Sequence, residues 1–422
     1  MQICMLVYYY WPVNAGGAEN QCRILSSALI THGWECTVLT CRDDASHPAH
    51  EVDASGVRIY RKPSLESLFQ IFFQAIGQRA DRANNPMEED GKIVKWQQRG
   101  LLLSRLKQAL GSMVAKAVRY GNVMIFSLGV LFYFLRNYRT VDIVHVHTAE
   151  WIAGLAVLMG MLFKIPVLCK GATMPVFPPL QGIAFSPLFD SLRRRAHYIA
   201  LTRDMHNNFL DNGVPPDRVT TISNGVILPE LPTQAVQQSN EFLYVGNFSQ
   251  SVKDKGFDIL IEAWAKFHVK RPLARLTLVG GGDFQEWLHL ARQLQCADSL
   301  NFAGYRTNLD AYYQRTCCFL LPSRNEGLSN ALLESQSWGI PAIVSDIPGN
   351  REIILHEING LIVPVENSEA LAAACIHMLD NPLLREQYGN AARKRIEESF
   401  SMERIADLTV NLYKELLHGA KV

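Results

Sequence analysis

No C-x-x-C pair occurs in the sequence, although it carries nine cysteines: Cys4, Cys22, Cys36, Cys41, Cys169, Cys296, Cys317, Cys318 and Cys375. Without paired spacing there is no zinc or thioredoxin-like signature, and thiols set in apolar runs read as buried and reduced, in a cytosolic protein. The N-terminus, MQICMLVYYYWP, lacks a basic leader and a small-residue cleavage site, so it reads as a first strand. The longest apolar run, Val123 to Leu135, has only thirteen residues. As a helix it would extend about 20 Å against a hydrocarbon core of ~30 Å, which points to a buried or interfacial helix. A net charge of +1 and 48% hydrophobic residues describe a globular chain with no overall pull toward nucleic acid.

Three motifs are also missing. No G-x-x-x-x-G-K-[ST] and no G-x-G-x-x-G follows a strand, which argues against kinases and nicotinamide enzymes. The nearest approach is VGGGD, with Gly280, Gly281 and Gly282. No Asp-x-Asp stands in a plausible metal site. Glu88 to Asp90 falls in a polar loop segment, and Asp43 with Asp44 has the wrong spacing. Finally, Gly91 to Thr140 contains nine basic residues and no acid: Lys92, Lys95, Arg99, Arg105, Lys107, Lys116, Arg119, Arg136 and Arg139. Their interleaving with apolar residues at helical spacing favours a membrane-facing helical region over a solvated face.

What is present is alternation. At 422 residues the chain is too long for one ordinary core. ICMLVY, CTVLT, VRIY, DIVHVH, PVLCK, HYIAL and RVTTI are strand-like and separated by helix-length segments, beginning with Ala18 to Thr31. The pattern breaks over Leu228 to Asn240, then restarts with FLYVG, RLTLVGGG, LNFAG, CCFLLPS, PAIVSD and GLIVPV. These features predict an α/β protein of two Rossmann-like parallel-sheet domains, 1–228 and 241–400, facing one cleft. A helical tail over 401–422 is expected to pack back on the first domain.

The densest stretch is PSRNEGLSNALLESQSWGIPAIVSD. FLLP reads as a strand and LSNALLESQSWG as a helix. Glu326 then lies in the intervening loop, and Leu328, Ser329 and Asn330 at a helix start whose amides suit a phosphate. Glu334 lies about one turn further in, within reach of a ribose. Gly16 and Gly17 after the first strand would let backbone approach a diphosphate. His147 stands at the carboxyl end of its strand, where α/β sites gather, whereas His145 lies deeper and reads as structural. Lys255, just before a helix, would neutralise a leaving diphosphate.

These words resemble the retaining glycosyltransferases of family four, which have the GT-B fold. The resemblance runs through YYYWPVNAGGAENQ, VDIVHVHTAEWIAG, RVTTISNGV, YVGN with DKGFDILIEAW, and LTLVGGGD. It implies His147, Lys255 and Glu326 as catalytic residues. It implies Gly16, Gly17, Asn247, Gly280, Gly282, Leu328, Ser329, Asn330 and Glu334 as donor-binding residues. Asn247 stands where the family has an Arg, so one positive charge is missing, with Lys253 or Arg324 as substitutes. The activity implied is metal-independent, cofactor-free transfer from a nucleoside-diphosphate sugar, UDP being the commonest base. The expected acceptor is a lipid-linked saccharide of polysaccharide or glycolipid assembly. The expected setting is the cytoplasm or the inner face of the membrane, with no nucleic-acid partner. Competing readings are a nucleotide-sugar epimerase or phosphorylase of the same fold, or a non-catalytic nucleotide-sugar binder.

Overall fold

The computed structural model describes residues 1–10, 16–42, 44, 46–65, 67–68, 111–180, 183, 185–231, 239–248 and 253–419, and leaves aside the side chains of 111–117 and 253. It divides into two compact units. One comprises Met1–Lys170, Phe177–Tyr198 and Tyr413–Val422, and the other Gly171–Val176 and Ile199–Leu412. Residues 199–228, expected in the first domain, thus belong to the second unit. The last ten residues belong to the first.

In the first unit the strands are β1 (Gln2–Leu6), β2 (Glu35–Arg42), β3 (His50–Val52), β4 (Arg58–Pro63), β5 (Ile143–Val146) and β6 (Val167–Lys170). Their order is β3-β4-β2-β1-β5-β6. β3 pairs antiparallel with β4, and the other pairs are parallel. The short strands β7 (His197–Ala200) and β8 (Val219–Thr221) follow in the chain. The central strands β1, β5 and β6 are buried throughout, apart from a half-buried Gln2, as apolar strands covered by helices must be. The helices α1 (Gly17–Thr31), α2 (Gly111–Asn137), α3 (Trp151–Phe163) and α4 (Ser186–Arg193) belong to the same unit. α2 is 27 residues long, about twice the apolar run that signals it. Flanking Ala, Met, Lys and Arg keep helical propensity high beyond that run.

The second unit contains β9 (Glu241–Val245), β10 (Arg275–Val279), β11 (Leu300–Gly304), β12 (Cys318–Leu321), β13 (Ala342–Ser345) and β14 (Gly360–Val363). They form one sheet in the order β11-β10-β9-β12-β13-β14, with every pair parallel. Its helices include α5 (Arg203–Asp211), α6 (Phe257–Lys270), α7 (Gln285–Gln293), α8 (Asp310–Tyr313) and α9 (Asn330–Ser337). They continue with α10 (Pro348–Ile353), α11 (Ser368–Asp380), α12 (Pro382–Ser399) and α13 (Met402–Gly419), whose last turns pass to the first unit.

Two glycines are required by geometry. Gly256 caps α6 at φ +65°, and a Cβ there would lie 2.1 Å from the carbonyl oxygen of Pro322. At Gly280 a Cβ would lie 1.6 Å from the carbonyl oxygen of Gly246, so the loops after β9 and β10 approach closely through their backbones. All nine cysteines are buried and none forms a disulfide, and burial pushes up the thiols of Cys4, Cys22, Cys36, Cys169, Cys296, Cys317, Cys318 and Cys375.

Candidate active site

In the second unit the candidate side chains gather at the carboxyl ends of β9 and β12. Lys255 and Glu326, read from sequence as separate groups, form one ion pair: Lys255 Nζ lies 2.5 Å from Glu326 Oε1. Ser323 Oγ donates to the same oxygen at 2.9 Å. The Tyr244 hydroxyl is buried without a partner, and burial, with Glu326 adding, raises its pKa. Ser329 caps α9, its Oγ accepting from the Leu332 amide at 3.3 Å. Leu328 is buried directly before that cap, and Asn330 Oδ1 accepts from Asn224 Nδ2 at 2.9 Å. Glu334, one turn into the helix, accepts from the buried Tyr313 hydroxyl at 3.1 Å. Burial raises the Glu334 carboxyl above its ordinary pKa, with the Tyr313 hydrogen bond working against the rise.

The expected substitution of Arg324 for the missing cation does not hold. Its guanidinium is taken by Asp258, at 2.9 and 2.6 Å, and by Glu366, at 2.7 Å. Such a bidentate pair fixes the charge locally. The Lys253 side chain lies outside the described residues. Asn247 is exposed two residues beyond β9. Gly280 and Gly282 follow β10, both with positive φ.

In the first unit His147 follows β5, is 1% exposed, and has no partner for either ring nitrogen. Its ring stacks on that of His145 at 4.6 Å. His145 Nδ1 and the Tyr413 hydroxyl share a hydrogen bond of 2.6 Å. Burial, and then the charge of Lys170, push His145 down to about 3. Burial and then His145 and Lys170 hold His147 well below its ordinary value, so both rings are neutral. Lys170, buried at the end of β6, is itself lowered to about 8 by burial. Nothing in the sequence marks Lys170 or Tyr413, because their burial depends on residues far away in the chain.

Gly16 is the N-cap of α1, and the side chain of Glu19 curls back over it: a Cβ on Gly16 would meet Glu19 Oε2 at 2.5 Å. Gly17 opens the helix. Burial, with Glu150 adding, raises the Glu19 carboxyl, while the Gly16 amide donates to it and holds it down. Beside it is a cavity of about 640 Å³, lined among others by Tyr8, Glu19, Arg119, Thr148, Glu150 and Trp151. Tyr8 packs edge-on to Trp151 at 5.5 Å and to Phe126 at 5.2 Å. Arg193, wholly buried, donates to the carbonyl oxygens of Ala149 at 3.1 Å and Pro178 at 2.9 Å, and its Nε to Asp190. It ties the loop after β5 to the loop at Pro178, and both line the cavity. Among the described residues no three His, Cys, Asp or Glu side chains converge as metal ligands would.

Two parallel-sheet units, with polar groups gathered at the carboxyl ends of their strands, define the class of two-domain nucleotide-sugar enzymes known as GT-B. Two family models match the chain: Glycosyltransferase Family 4 over residues 110–228 and Glycosyl transferases group 1 over 232–395. An uncharacterized glycosyltransferase of Methanocaldococcus jannaschii is 24% identical, with 98% of each chain covered. The glycogen synthase of Mycobacterium tuberculosis is also 24% identical, over all of this chain and 96% of its own. The solved Anabaena HepE, in complex with UDP-glucose, superposes with a TM-score of 0.69 at 15% identity, covering 98% of this chain and all of that one. The two models match adjoining stretches of the chain, which is thereby a glycosyltransferase of GT-B type.

Proposed function

We propose that this glycosyltransferase moves a hexosyl group from a UDP-sugar to a saccharide hydroxyl with retention of anomeric configuration, without a metal or other cofactor. The observation that carries the reading is the Lys255–Glu326 pair beside the Ser329-capped start of α9, with Glu334 one turn further in. The helix start and Lys255 suit the diphosphate, supplying the positive field that a divalent ion provides elsewhere. Glu334, Gly280 and Gly282 suit the nucleoside, with Asn247 beside the phosphates. Glu326 orients the sugar, and Gly16 and Gly17 offer backbone to the donor.

In the reaction the acceptor oxygen bonds to the anomeric carbon as the bond from that carbon to the β-phosphate oxygen breaks. The acceptor proton passes to the departing phosphate, and Lys255 stabilises the charge developing there. His147, neutral and with two unpartnered ring nitrogens, serves as a hydrogen-bonding group and not as a cation. The aromatic and acidic cavity of the first unit suits a saccharide, its C–H face on Tyr8 and Trp151 and its hydroxyls on Glu19 and Glu150. A UDP donor is supported by the UDP-glucose complex of HepE, and a saccharide acceptor by the glycogen synthase. The acceptor is lipid-linked, and the enzyme works on the cytoplasmic face of a membrane.

The test is a thermal-shift screen of UDP-, GDP- and ADP-sugars, followed by NMR of the product anomer. A donor at a hundred times its Kd stabilises by about 2.7 kcal/mol. Stabilisation by UDP-sugars alone, turnover in EDTA and a retained anomer are expected. An inverted product, or a free epimerised sugar, would overturn the reading.

A further inference from the structure

Helix α2 has two unlike faces. Val123, Phe126, Val130, Tyr133 and Phe134 point inward and are buried. On the opposite side Tyr120, Met124, Leu128, Phe132 and Leu135 recur every three or four residues and are exposed, from 39% at Tyr120 to 65% at Phe132. Val118–Asn137 is long and apolar enough to cross a membrane, yet only 28% of it is buried. A core helix of this composition would be mostly buried. A crossing helix could not keep an inward face packed on a soluble sheet. A helix lying in the plane of an interface satisfies both observations.

Charge selects the partner. α2 contains no acidic residue. Arg136, one turn after Phe132, is exposed at the end of the stripe, and Arg139 stands exposed just beyond it. Phe163 of α3 stacks on Phe134 and Tyr138, which brings the exposed Met161, Leu162 and Lys164 beside the same end. Basic groups around an apolar stripe match anionic phospholipid. The same helix also walls the cavity, through Val118, Arg119 and Asn122, and Arg119 is the one cation among the described lining residues.

We propose that this face of α2 docks on an anionic phospholipid bilayer, and that the adjoining cavity receives the polar head of a lipid-borne acceptor from that surface. The second half rests on the glycosyltransferase reading. Docking does not.

The experiment is flotation of the full chain with vesicles of phosphatidylcholine, alone or mixed with phosphatidylglycerol. Binding is expected on the mixed vesicles and lost at high salt, as the Debye length falls from about 10 Å at 0.1 M to about 3 Å at 1 M. The double variant Leu128→Gln with Phe132→Gln alters exposed positions only. It is expected to bind the mixed vesicles roughly tenfold less well, with unchanged UDP affinity and unchanged transfer to a water-soluble saccharide. The pair Arg136→Gln with Arg139→Gln is expected to weaken binding at low salt only. Failure of the unaltered protein to float with mixed vesicles overturns docking, as does equal flotation of the variants. A lipid-free dimer that Leu128→Gln with Phe132→Gln dissolves assigns the face to a second copy and overturns it too. Flotation by a protein that neither binds UDP nor hydrolyses UDP-sugars leaves docking standing and overturns the acceptor half.

Discussion

The Lys255–Glu326 contact changes what single substitutions at these positions report. Lys255→Ala removes a cation, and it also leaves the Glu326 carboxylate with Ser323 as its one side-chain donor among the described residues. A preorganised cation at a developing charge contributes about 3 kcal/mol, so Lys255→Ala is expected to lower kcat roughly 10²-fold. Glu326→Gln should cost a similar amount, and the double variant little more than either single one, because groups acting as a unit are not additive. Steady-state kinetics of the three variants would show this, and full additivity would separate the two roles again. Sequence exposed both residues through their motif. It could not show their pairing, since the residues between them set the approach of Lys255 Nζ to Glu326 Oε1. The same applies to Arg324, whose charge looked available until Asp258 and Glu366 were seen to hold it.

The buried histidines give a second residue-scale prediction, with a sign. His145 is held neutral down to about pH 3 in the folded chain, whereas an unfolded histidine takes a proton near pH 6.5. Below that value the unfolded state binds more protons, so stability falls as pH drops from about 6.5 toward 3. The loss approaches ~1.4 kcal/mol per pH unit for each such histidine. His145→Gln should flatten this slope relative to the unaltered protein in urea titrations between pH 7 and 5. Identical slopes would show that His145 ionises in the fold.

At the scale of elements, loops rather than strands decide the site. Arg193 at the end of α4 holds two cavity-lining loops through backbone carbonyls. Arg193→Lys cannot reproduce the planar fork and is expected to cost about 1–3 kcal/mol of stability. It should raise KM for the acceptor while KM for the donor stays constant. Equal changes in both would mean that the loops do not form the acceptor site. Gly256→Ala sets a Cβ against Pro322 in a left-handed cap and should destabilise by on the order of 2–4 kcal/mol in chemical denaturation. Both sheets could be read from the chain because their strands are short apolar runs that alternate with helix-length segments. Only β3, three residues on the edge of its sheet with one apolar side chain, carries too little pattern to find. The cavity was not legible at all. Tyr8, Arg119 and Trp151 are ordinary core or surface residues in sequence, and only packing brings them to one place. Much of the basic segment, including Lys92, Lys95, Arg99, Arg105 and Lys107, lies outside the described residues.

For the whole molecule, two units with separate cores are expected to unfold in more than one step. UDP-sugar should raise the transition of the second unit first, because the proposed donor side chains Lys255, Glu326 and Glu334 belong to it and the first unit offers only backbone at Gly16 and Gly17. Scanning calorimetry with and without donor would test this, and a uniform shift of a single transition would show one cooperative block. The interruption at Leu228 to Asn240 marks a real change in composition, and the division by contacts falls elsewhere in the chain. That division follows contacts, which place Ile199 onward in the second unit and Tyr413–Val422 in the first. Strand–helix alternation is the same on either side of such a crossing, so it carries no sign of it.

The return of the last residues also orders events in time. Tyr413 meets His145 and packs against Trp34, contacts that complete the interior of the first unit. A ribosome adding about 5–20 residues per second needs on the order of 10–40 s to travel from Tyr198 to Tyr413. For that interval the earliest-made part of the chain waits with His145 lacking its Tyr413 partner, while the later-made sheet has everything it requires up to Leu412. Birth order and completion order are therefore reversed. A nascent chain stalled or clipped before Tyr413 presents the cell with a finished second unit and an unfinished first one, the kind of half-product that chaperones and proteases recognise.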